Sequence, residues 1–212
     1  MNLDEITLLG KNEFIIMMVL DCLESNSLFP KVTIYNNLNL QPEENFINKK
    51  FEIVLSNTLK LSKNVFICLN KKKSIDNLIS FENIDVDSLI TLKHKNSYVS
   101  STTMIGKNCL ISSMVSIAHY SNLENFVRVN RNCSIGHHVE IGRNVNLNPG
   151  VNIGGYSTIG ENTTIGMGSN ILNKIKIGKN SVIGAGSLIT KDIPDGVVAY
   201  GSPCKIIREN IY

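Results

Sequence analysis

The chain contains no tryptophan, and its six tyrosines and seven phenylalanines make up only 6% of its 212 residues. Such a small aromatic content gives no sign of the stacking surfaces with which proteins bind single-stranded nucleic acids. Charged residues make up 18%, and the net charge of +3 is too small to indicate nucleic acid or an anionic membrane as a partner. Hydrophobic residues make up 42%, which excludes a disordered chain and is enough for a substantial core.

Long hydrophobic runs and paired cysteine motifs are absent as well. The longest purely apolar run, Phe14 to Leu20, has seven residues, whereas a membrane-spanning helix needs about twenty. The first residues, MNLDEIT, lack the pattern of a secretory signal. The five cysteines form no C-x-x-C motif, which favours free thiols in a reducing compartment. We therefore expect a folded, cytoplasmic protein without membrane insertion.

A six-residue repeat runs through the second half of the chain. Every sixth residue from Val99 to Ile189 is valine, isoleucine or leucine, for sixteen consecutive positions without an insertion. Four residues after each of these positions stands a small or β-branched residue, and glycine often follows the large aliphatic one. Neither an α-helix, with its period of about 3.6, nor an alternating strand produces a period of six.

This pattern predicts a parallel β-helix, in which each flat face holds a short strand and the chain turns at each corner. The large aliphatic residues would stack from coil to coil and form a continuous core. Residues 99–193 would make about five coils of eighteen residues each. We assign residues 91–212 to this β-helix with a C-terminal cap, and residues 1–90, which lack the repeat, to a separate domain.

Two stretches of the repeat resemble a known family. The family is that of the hexapeptide-repeat sugar acetyltransferases. Its histidine-bearing turn resembles residues 134–150, SIGHHVEIGRNVNLNPG, and its closing coil resembles residues 183–207, IGAGSLITKDIPDGVVAYGSPCKII. The resemblance is to the family that acetylates sialic acid and bacillosamine, and it covers roughly residues 88–208. It implies a left-handed, triangular β-helix, acetyl-CoA as co-substrate, and a homotrimer whose active groove lies between subunits.

In the first ninety residues, predicted strands alternate with predicted helices. We predict strands at 5–9, 31–35, 64–69 and 89–92 and helices at 13–24 and 71–79, which together indicate a small α/β sheet. By resemblance this is a Rossmann-like domain that holds the nucleotide of a nucleotide-linked sugar. The candidate substrate-binding residues follow the predicted strands and are Gly10, Lys11, Asn12, Asn36, Asn37 and Asn70.

These positions depart from the family pattern. The glycine-rich loop that usually follows the first strand is reduced to Gly10-Lys11-Asn12, so the close backbone approach to a phosphate is lost. Asn36-Asn37 stands where relatives have two aspartates. The asparagines can still form hydrogen bonds with a base or a ribose, and Lys11 can bind a phosphate. The alternative to a nucleotide-binding domain is a domain that is retained for packing and binds no nucleotide.

The resemblance assigns catalysis to a histidine on a corner of the β-helix. His137 matches the family's general base, which takes a proton from the acceptor sugar as that sugar attacks the thioester. Imidazole suits this role because it titrates near neutral pH. His138, the second candidate catalytic residue, stands where relatives have Asp or Glu, and His119 is expected to stack on the same corner one coil earlier. The alternative is that His137 is a polar corner residue without a catalytic role.

A metal cofactor is not expected. A zinc ion needs three or four protein ligands, and the sequence shows no such set of residues. In β-helical carbonic anhydrases a second histidine follows the first after five residues, and here Gly142 occupies that position relative to His137.

The resemblance also carries over the acetyl-CoA site position by position. The backbone N–H groups of Gly154 and Gly155 are candidates to stabilise the oxyanion. Asn146 stands where relatives often have a second histidine near the thioester, and Met167 and Ala185 match residues along the pantetheine arm. The candidate cofactor-binding residues are Asn146, Gly155, Met167, Ala185, Pro203 and Lys205. In the family, the positions of Pro203 and Lys205 border the adenine end of the cofactor.

The resemblance therefore implies an acetyl-CoA-dependent transferase that acts on sugars of bacterial surface glycans. The two-domain layout favours N-acetylation of a nucleotide-linked amino-deoxysugar by direct transfer. O-acetylation of a sialic acid or a related sugar is the close alternative, because a free sugar needs no nucleotide pocket. A non-catalytic β-helix that binds or scaffolds is the third possibility, since the assisting carboxylate and the glycine loop are both missing.

Overall fold

The computed structural model describes residues 3–10, 12–35, 50–56 and 58–211. The chain divides into two compact units, residues 1–92 and residues 93–212. Lys11, Asn36 and Asn37, three of the predicted substrate-binding residues, lie outside the described residues.

The N-terminal unit contains a parallel four-stranded sheet and two α-helices. The strands are β1 (Glu5–Leu9), β2 (Lys31–Tyr35), β3 (Ile53–Ser56) and β4 (Val65–Ile67), in the order β3-β2-β1-β4. The helices are α1 (Glu13–Ser25) and α2 (Lys72–Phe81), and a short 3₁₀ helix covers Val86–Ser88. β1 is paired on both sides, and all of its residues except the first are buried.

Helix α1 begins at a well-formed cap and buries one face. Oδ1 of Asn12 accepts a hydrogen bond from the N–H of Ile15 (3.1 Å), which satisfies one of the unpaired N–H groups of the first turn. Ile16, Val19 and Leu23 recur at helical spacing and are fully buried. In the described part of the chain, no helix has the length and apolar composition that crossing a bilayer requires.

Most predicted elements of this unit are confirmed. Strands 5–9 and 31–35 have the predicted bounds, and both helices end within two residues of the prediction. The strand predicted at 64–69 is shorter, and β3, a strand of four residues, has no counterpart in the prediction. The strand predicted at 89–92 is wrong, since Leu89 forms an isolated bridge with Val65 and the next strand begins at Leu92.

The C-terminal unit is a parallel β-helix whose strands are two residues long and begin every six residues. They are β5 (Leu92–Lys93), β6 (Tyr98–Val99), β7 (Met104–Ile105), β8 (Leu110–Ile111), β9 (Ser116–Ile117), β10 (Asn122–Leu123), β11 (Arg128–Val129), β12 (Ser134–Ile135), β13 (Glu140–Ile141), β14 (Asn146–Leu147), β15 (Asn152–Ile153), β16 (Thr158–Ile159), β17 (Thr164–Ile165), β18 (Asn170–Ile171), β19 (Lys176–Ile177), β20 (Val182–Ile183) and β21 (Leu188–Ile189). Two longer strands, β22 (Val197–Tyr200) and β23 (Lys205–Glu209), follow at the C-terminal end.

Three sheets form the faces of the β-helix. The five-stranded face contains β7, β10, β13, β16 and β19, and the six-stranded face contains β6, β9, β12, β15, β18 and β21. The eight-stranded face contains the remaining strands from β5 to β23. Strands pair in parallel with those eighteen residues away, as Ile135 does with Ile153 and Ile141 with Ile159. The predicted coil of eighteen residues is therefore confirmed.

The large aliphatic residues of the repeat form the core. Of the sixteen predicted positions, fourteen are buried, and Val99 and Ile105 in the first coil are partly buried. Buried hydroxyl groups link successive coils. Oγ of Ser121, for example, donates to the carbonyl of Gly136 (2.8 Å) and accepts from the N–H of Val139 (3.1 Å). Serine suits this column because one small hydroxyl satisfies two backbone groups.

Most corners contain a residue with a left-handed backbone, three positions after the large aliphatic residue. Asparagine and glycine occupy this place most often, because they adopt a positive φ at the lowest cost. His138, with φ of 56°, and Tyr156, with φ of 62°, share this conformation. The backbone geometry at these two residues is therefore the same, one coil apart.

The last two strands extend the eight-stranded face. β22 pairs in parallel with β20, and β23 returns antiparallel to β22. Pro203 lies in the turn between them, after a cis peptide bond. The N–H of Cys204 donates to the carbonyl of Leu188 (2.8 Å) and ties this turn to the last regular coil.

All five cysteines are free, and four of them are buried. Burial raises the pKa of Cys133 to about 11. Burial, with a smaller contribution from the charge of Asp21, raises the pKa of Cys22 to about 12. Both thiols therefore stay protonated, and poorly nucleophilic, near neutral pH.

Candidate active site

The predicted base lies on an exposed corner of the β-helix. His137 and His138 follow β12 on the six-stranded face and precede β13 on the five-stranded face, and both are exposed. Their Nδ1 atoms are 3.1 Å apart, and the ring centroids, 5.3 Å apart, meet edge to face. This distance is that of a hydrogen bond, so one Nδ1 donates and the other accepts.

Gly155 lies against His137, one coil further along. A Cβ atom added to Gly155 would lie 2.8 Å from Nε2 of His137 and 3.0 Å from its Cε1, too close for a side chain in this position. The N–H of Tyr156 donates to the carbonyl of His137 (3.0 Å) and holds the two coils together. Glycine at position 155 therefore makes room for the imidazole of His137.

His138 lies between two tyrosines. Tyr120 and Tyr156 precede and follow it by eighteen residues, and their ring centroids are 5.0 Å and 4.7 Å from that of His138. The ring of Tyr156 is nearly parallel to His138, at 19°, and meets His137 edge-on at 5.0 Å. These tyrosines are not among the predicted site residues, although the eighteen-residue coil places them in the column of His138.

His119 lies one coil before His137, but its ring has other partners. Nδ1 of His119 is 2.7 Å from Oγ of Ser100 and 3.2 Å from Oγ1 of Thr102. The carbonyl of His119 accepts from the N–H of His138 (3.0 Å). Among the residues that the structure describes, no group of three or more His, Cys, Asp or Glu side chains is placed to hold a metal ion.

Of the two glycines predicted as oxyanion donors, Gly154 already uses its N–H group within the β-helix. The N–H of Gly154 donates to the carbonyl of Ile171 (2.8 Å), so it already takes part in the stacking of the coils. A Cβ at Gly154 would lie 2.3 Å from Oδ1 of Asn173, which shows that this glycine is needed for the same stacking. Gly155 remains the candidate donor.

The predicted acetyl-CoA residues lie elsewhere on the β-helix. Met167 and Ala185 are exposed on the corner between the eight-stranded and six-stranded faces, one coil apart. The N–H of Gly186 donates to the carbonyl of Met167 (2.8 Å) and joins these two turns. Asn146 is half-buried on the eight-stranded face. Within one chain, the six-stranded face separates the corner of Met167 from that of His137.

The corner of Met167 exposes a row of glycine backbone. Gly150, Gly168 and Gly186 have φ of 73°, 68° and 67°, and a Cβ at Gly168 or Gly186 would meet no atom within 4 Å. Asparagine adopts the same backbone at other corners, so conformation alone does not require glycine here. The row leaves an open backbone surface against which an extended ligand can lie.

Pro203 and Lys205 lie at the C-terminal end of the same face. Both are exposed, Pro203 in the turn before β23 and Lys205 as its first residue. The turn is tied to the coil that follows Ala185 through the hydrogen bond of Cys204 to Leu188. The structure thus brings these two residues to the region that Met167 and Ala185 occupy.

Two predicted residues of the N-terminal unit have structural roles. Gly10 has φ of 100°, and a Cβ there would lie 2.6 Å from Cδ2 of Leu69. Asn12 caps α1. Asn70 is exposed between β4 and α2. All three lie at the carboxyl ends of β1 and β4, the neighbouring strands at which the strand order reverses, and α/β sheets bind ligands at such a point.

The fold defines the class of this protein as a left-handed parallel β-helix of hexapeptide repeats, preceded by a small Rossmann-like sheet. The family described as Bacterial transferase hexapeptide (six repeats) matches residues 156–191. The predicted fold class and the resemblance to hexapeptide-repeat proteins are therefore confirmed. No curated protein matches the chain by sequence.

Several solved structures share this fold over nearly the whole chain. A mutant of perosamine N-acetyltransferase from Caulobacter crescentus, in complex with CoA and GDP-perosamine, has a TM-score of 0.81 and 19% identity over 97% of each chain. The acetyltransferase domain of PglB from Neisseria gonorrhoeae, with acetyl coenzyme A, has a TM-score of 0.81 and 20% identity over 97% of this chain and 100% of that one. WeeI from Acinetobacter baumannii has a TM-score of 0.79 and 20% identity over 95% of this chain and 99% of that one. At these identities the likeness is one of fold.

Proposed function

We propose that this protein transfers the acetyl group of acetyl-CoA to the amino group of a nucleotide-linked amino-deoxysugar used in bacterial surface glycans. The observation that carries the proposal is the exposed pair of His137 and His138 beside Gly155, on a fold shared with sugar N-acetyltransferases. CoA and GDP-perosamine are bound in one of these neighbours and acetyl-CoA in another, which supports the co-substrate and the class of acceptor.

In this reaction His137 acts as the general base. Nε2 takes a proton from the amine as the amine nitrogen attacks the thioester carbonyl carbon and the C–N bond forms. The tetrahedral intermediate then breaks its C–S bond and releases CoA as a thiolate, which takes a proton from solvent. The N–H of Gly155 is the proposed donor to the oxyanion, since that of Gly154 is engaged with Ile171.

The positions of the candidate residues support a homotrimer. Met167 and Ala185 lie on a different corner from His137, with the six-stranded face between them. We propose that the corner of Met167 in one copy faces the corner of His137 in a neighbouring copy, so that the thioester lies between two chains. A site of this kind is complete only in the assembly.

The acetyl-CoA site is proposed along the corner of Met167. The open backbone at Gly168 and Gly186 would bind the pantetheine arm, which is an extended chain. The other residues assigned to acetyl-CoA are Asn146 near the thioester, Ala185 along the arm, and Pro203 and Lys205 at the adenine end.

We assign the nucleotide of the acceptor to the carboxyl ends of β1 and β4. The reversal of strand order at these two strands supports this placement. Because Gly10 and Asn12 serve packing and capping, the direct contacts are assigned to the remaining candidates, Lys11, Asn36, Asn37 and Asn70.

O-acetylation of a free sialic acid or a related sugar is the second candidate function. The structural roles of Gly10 and Asn12 favour it, because neither residue is left to form a glycine-rich phosphate loop. A free sugar would need only the corner of His137 and the acetyl-CoA site.

Release of CoA from acetyl-CoA, followed with a thiol reagent, tests the proposal. The acceptors are UDP-, dTDP- and GDP-linked 4-amino-4,6-dideoxysugars and free sialic acids. Turnover with a nucleotide-linked amino sugar alone supports the proposal, and turnover with a free sialic acid alone replaces it with O-acetylation. Binding of acetyl-CoA without turnover of any acceptor would indicate a scaffold. Four of the five cysteines are buried, and a reaction without acceptor corrects for the partly exposed Cys204.

Gly155→Ala is expected to lower kcat by roughly 100-fold, since misplacement of a reacting group by about 1 Å has this effect. The new methyl group would displace the imidazole of His137, whose Nε2 would lie 2.8 Å from it. The melting temperature should change little, because the end of an exposed side chain can move away. Thr158→Ala, at an exposed position of the neighbouring coil, is the comparison for folding. Full activity of Gly155→Ala would contradict the assigned geometry.

A further inference from the structure

We infer that His138 is a positioning residue that holds His137 with its proton on Nδ1, and that Tyr120 and Tyr156 hold the ring of His138 in place. This inference rests on the proposed function, because it concerns the state in which His137 acts as a base. It is carried by the distance of 3.1 Å between the two Nδ1 atoms and by the ring contacts of His138 with Tyr120, which is tilted, and with Tyr156, which is stacked.

Two neutral imidazoles that share a hydrogen bond between Nδ1 atoms have two possible arrangements. If His138 donates, His137 carries its proton on Nε2, where no lone pair is left to accept the proton of the amine. If His137 donates, its Nε2 has a free lone pair. Only the second arrangement agrees with a general base at Nε2, so Nδ1 of His138 is the acceptor.

The same hydrogen bond persists through the reaction. When Nε2 of His137 takes the proton of the amine, the ring becomes an imidazolium whose Nδ1–H still donates to His138. The lone pair of His138 then stabilises the positive charge, as the carboxylate does beside histidine in other enzymes. After product formation the proton leaves Nε2 of His137 for solvent, and the starting tautomer is restored.

The tyrosines determine where the acceptor lone pair points. His138 is exposed, so without neighbours its ring would turn about χ2 and lose the hydrogen bond. Tyr120 contacts one side of the ring at 5.0 Å, and Tyr156 stacks on it at 4.7 Å. Tyr156 also contacts His137 edge-on at 5.0 Å, so it restrains both imidazoles.

Two substitutions at position 138 separate the acceptor from the bulk of the side chain. Aspartate places an oxygen as many bonds from Cα as Nδ1 of histidine, accepts only, and tolerates the positive φ of 56°. Leucine has a similar reach but accepts nothing. We expect His138→Asp to retain most of the wild-type kcat and His138→Leu to lose it by roughly 10- to 100-fold, with the KM for acetyl-CoA unchanged in both.

The tautomer itself is measured without substrate. In protein labelled with ¹⁵N-histidine, two-bond ¹⁵N–¹H correlation spectra distinguish Nδ1–H from Nε2–H. The expected signature is Nδ1–H for His137 in the wild type and in His138→Asp, and a shift toward Nε2–H in His138→Leu. A wild-type His137 with its proton on Nε2 overturns the inference, whether or not His138→Leu folds.

The role of the tyrosines has its own pair of variants. Tyr156→Phe keeps the ring and is expected to keep both kcat and the Nδ1–H signal of His137, whereas Tyr156→Leu should weaken both. Equal behaviour of the two variants would contradict the role of the aromatic ring. If the wild type transfers acetyl groups but His138→Leu keeps its kcat, the inference fails and the proposed function stands. If no acceptor is acetylated, the function fails and the spectra still decide the tautomer.

Discussion

Replacing His137 with asparagine is expected to lower the kcat of acetyl transfer by about 10²- to 10⁴-fold, the range that general bases contribute. Asparagine keeps a polar side chain of similar reach, but its amide cannot take up the proton of the acceptor. The KM for acetyl-CoA should change little, because Met167 and Ala185 lie on another corner. Steady-state kinetics of CoA release with the preferred acceptor measure both quantities.

The matched control is His119→Asn. His119 lies on the same corner one coil earlier, and its ring is held by Ser100 and Thr102 rather than by the His137–His138 pair. This variant is expected to keep nearly full activity. An equal loss in the two variants, or activity that survives His137→Asn, would show that His137 is not the base.

The second large effect concerns the core of the β-helix. Ile159→Ala is expected to lower the free energy of unfolding by about 2–5 kcal/mol, the usual cost of such a truncation in a packed core. Ile159 is 1% exposed and is stacked between Ile141 and Ile177 in the coils on either side. The cavity would therefore open in the middle of the ladder, where the backbone hydrogen bonds between coils resist collapse.

Thr158→Ala is the control within the same two-residue strand. Its side chain points outward and is exposed, so we expect a change within about 0.5 kcal/mol. Equilibrium unfolding in denaturant, at equal protein concentration and with reversibility checked, measures both variants. A loss in Thr158→Ala as large as that in Ile159→Ala would mean that position 158, not the interior ladder, stabilises this strand.

The β-helix could be predicted from sequence because its contacts repeat. A residue such as Ile135 meets the residue eighteen positions later, and the same relation holds for each neighbour along the ladder. The buried positions therefore recur at a fixed period in the sequence, and that period predicts the fold. β3 (Ile53–Ser56) has no such signal, because it is a half-exposed strand that, among the described strands, pairs with β2 alone and takes part in no repeat.

Candidate site residues were harder to interpret than the fold. Gly10 and Asn12 suggest the remains of a phosphate loop, but contact with Leu69 and the capping of α1 account for both. Tyr120 and Tyr156 carry no motif, and their importance depends on ring geometry about His138. Sequence spacing places residues in one column and does not say where their side chains point.

The sequence by itself determined the six-residue register, the inward column of aliphatic residues and the corner on which His137 lies. These follow from local periodicity, which every coil repeats. Only the tertiary structure decided that His137 and His138 share a hydrogen bond between Nδ1 atoms and that Gly155 makes room for the imidazole. The physical reason is that side-chain orientation depends on packing between coils, which involves residues far apart in the chain.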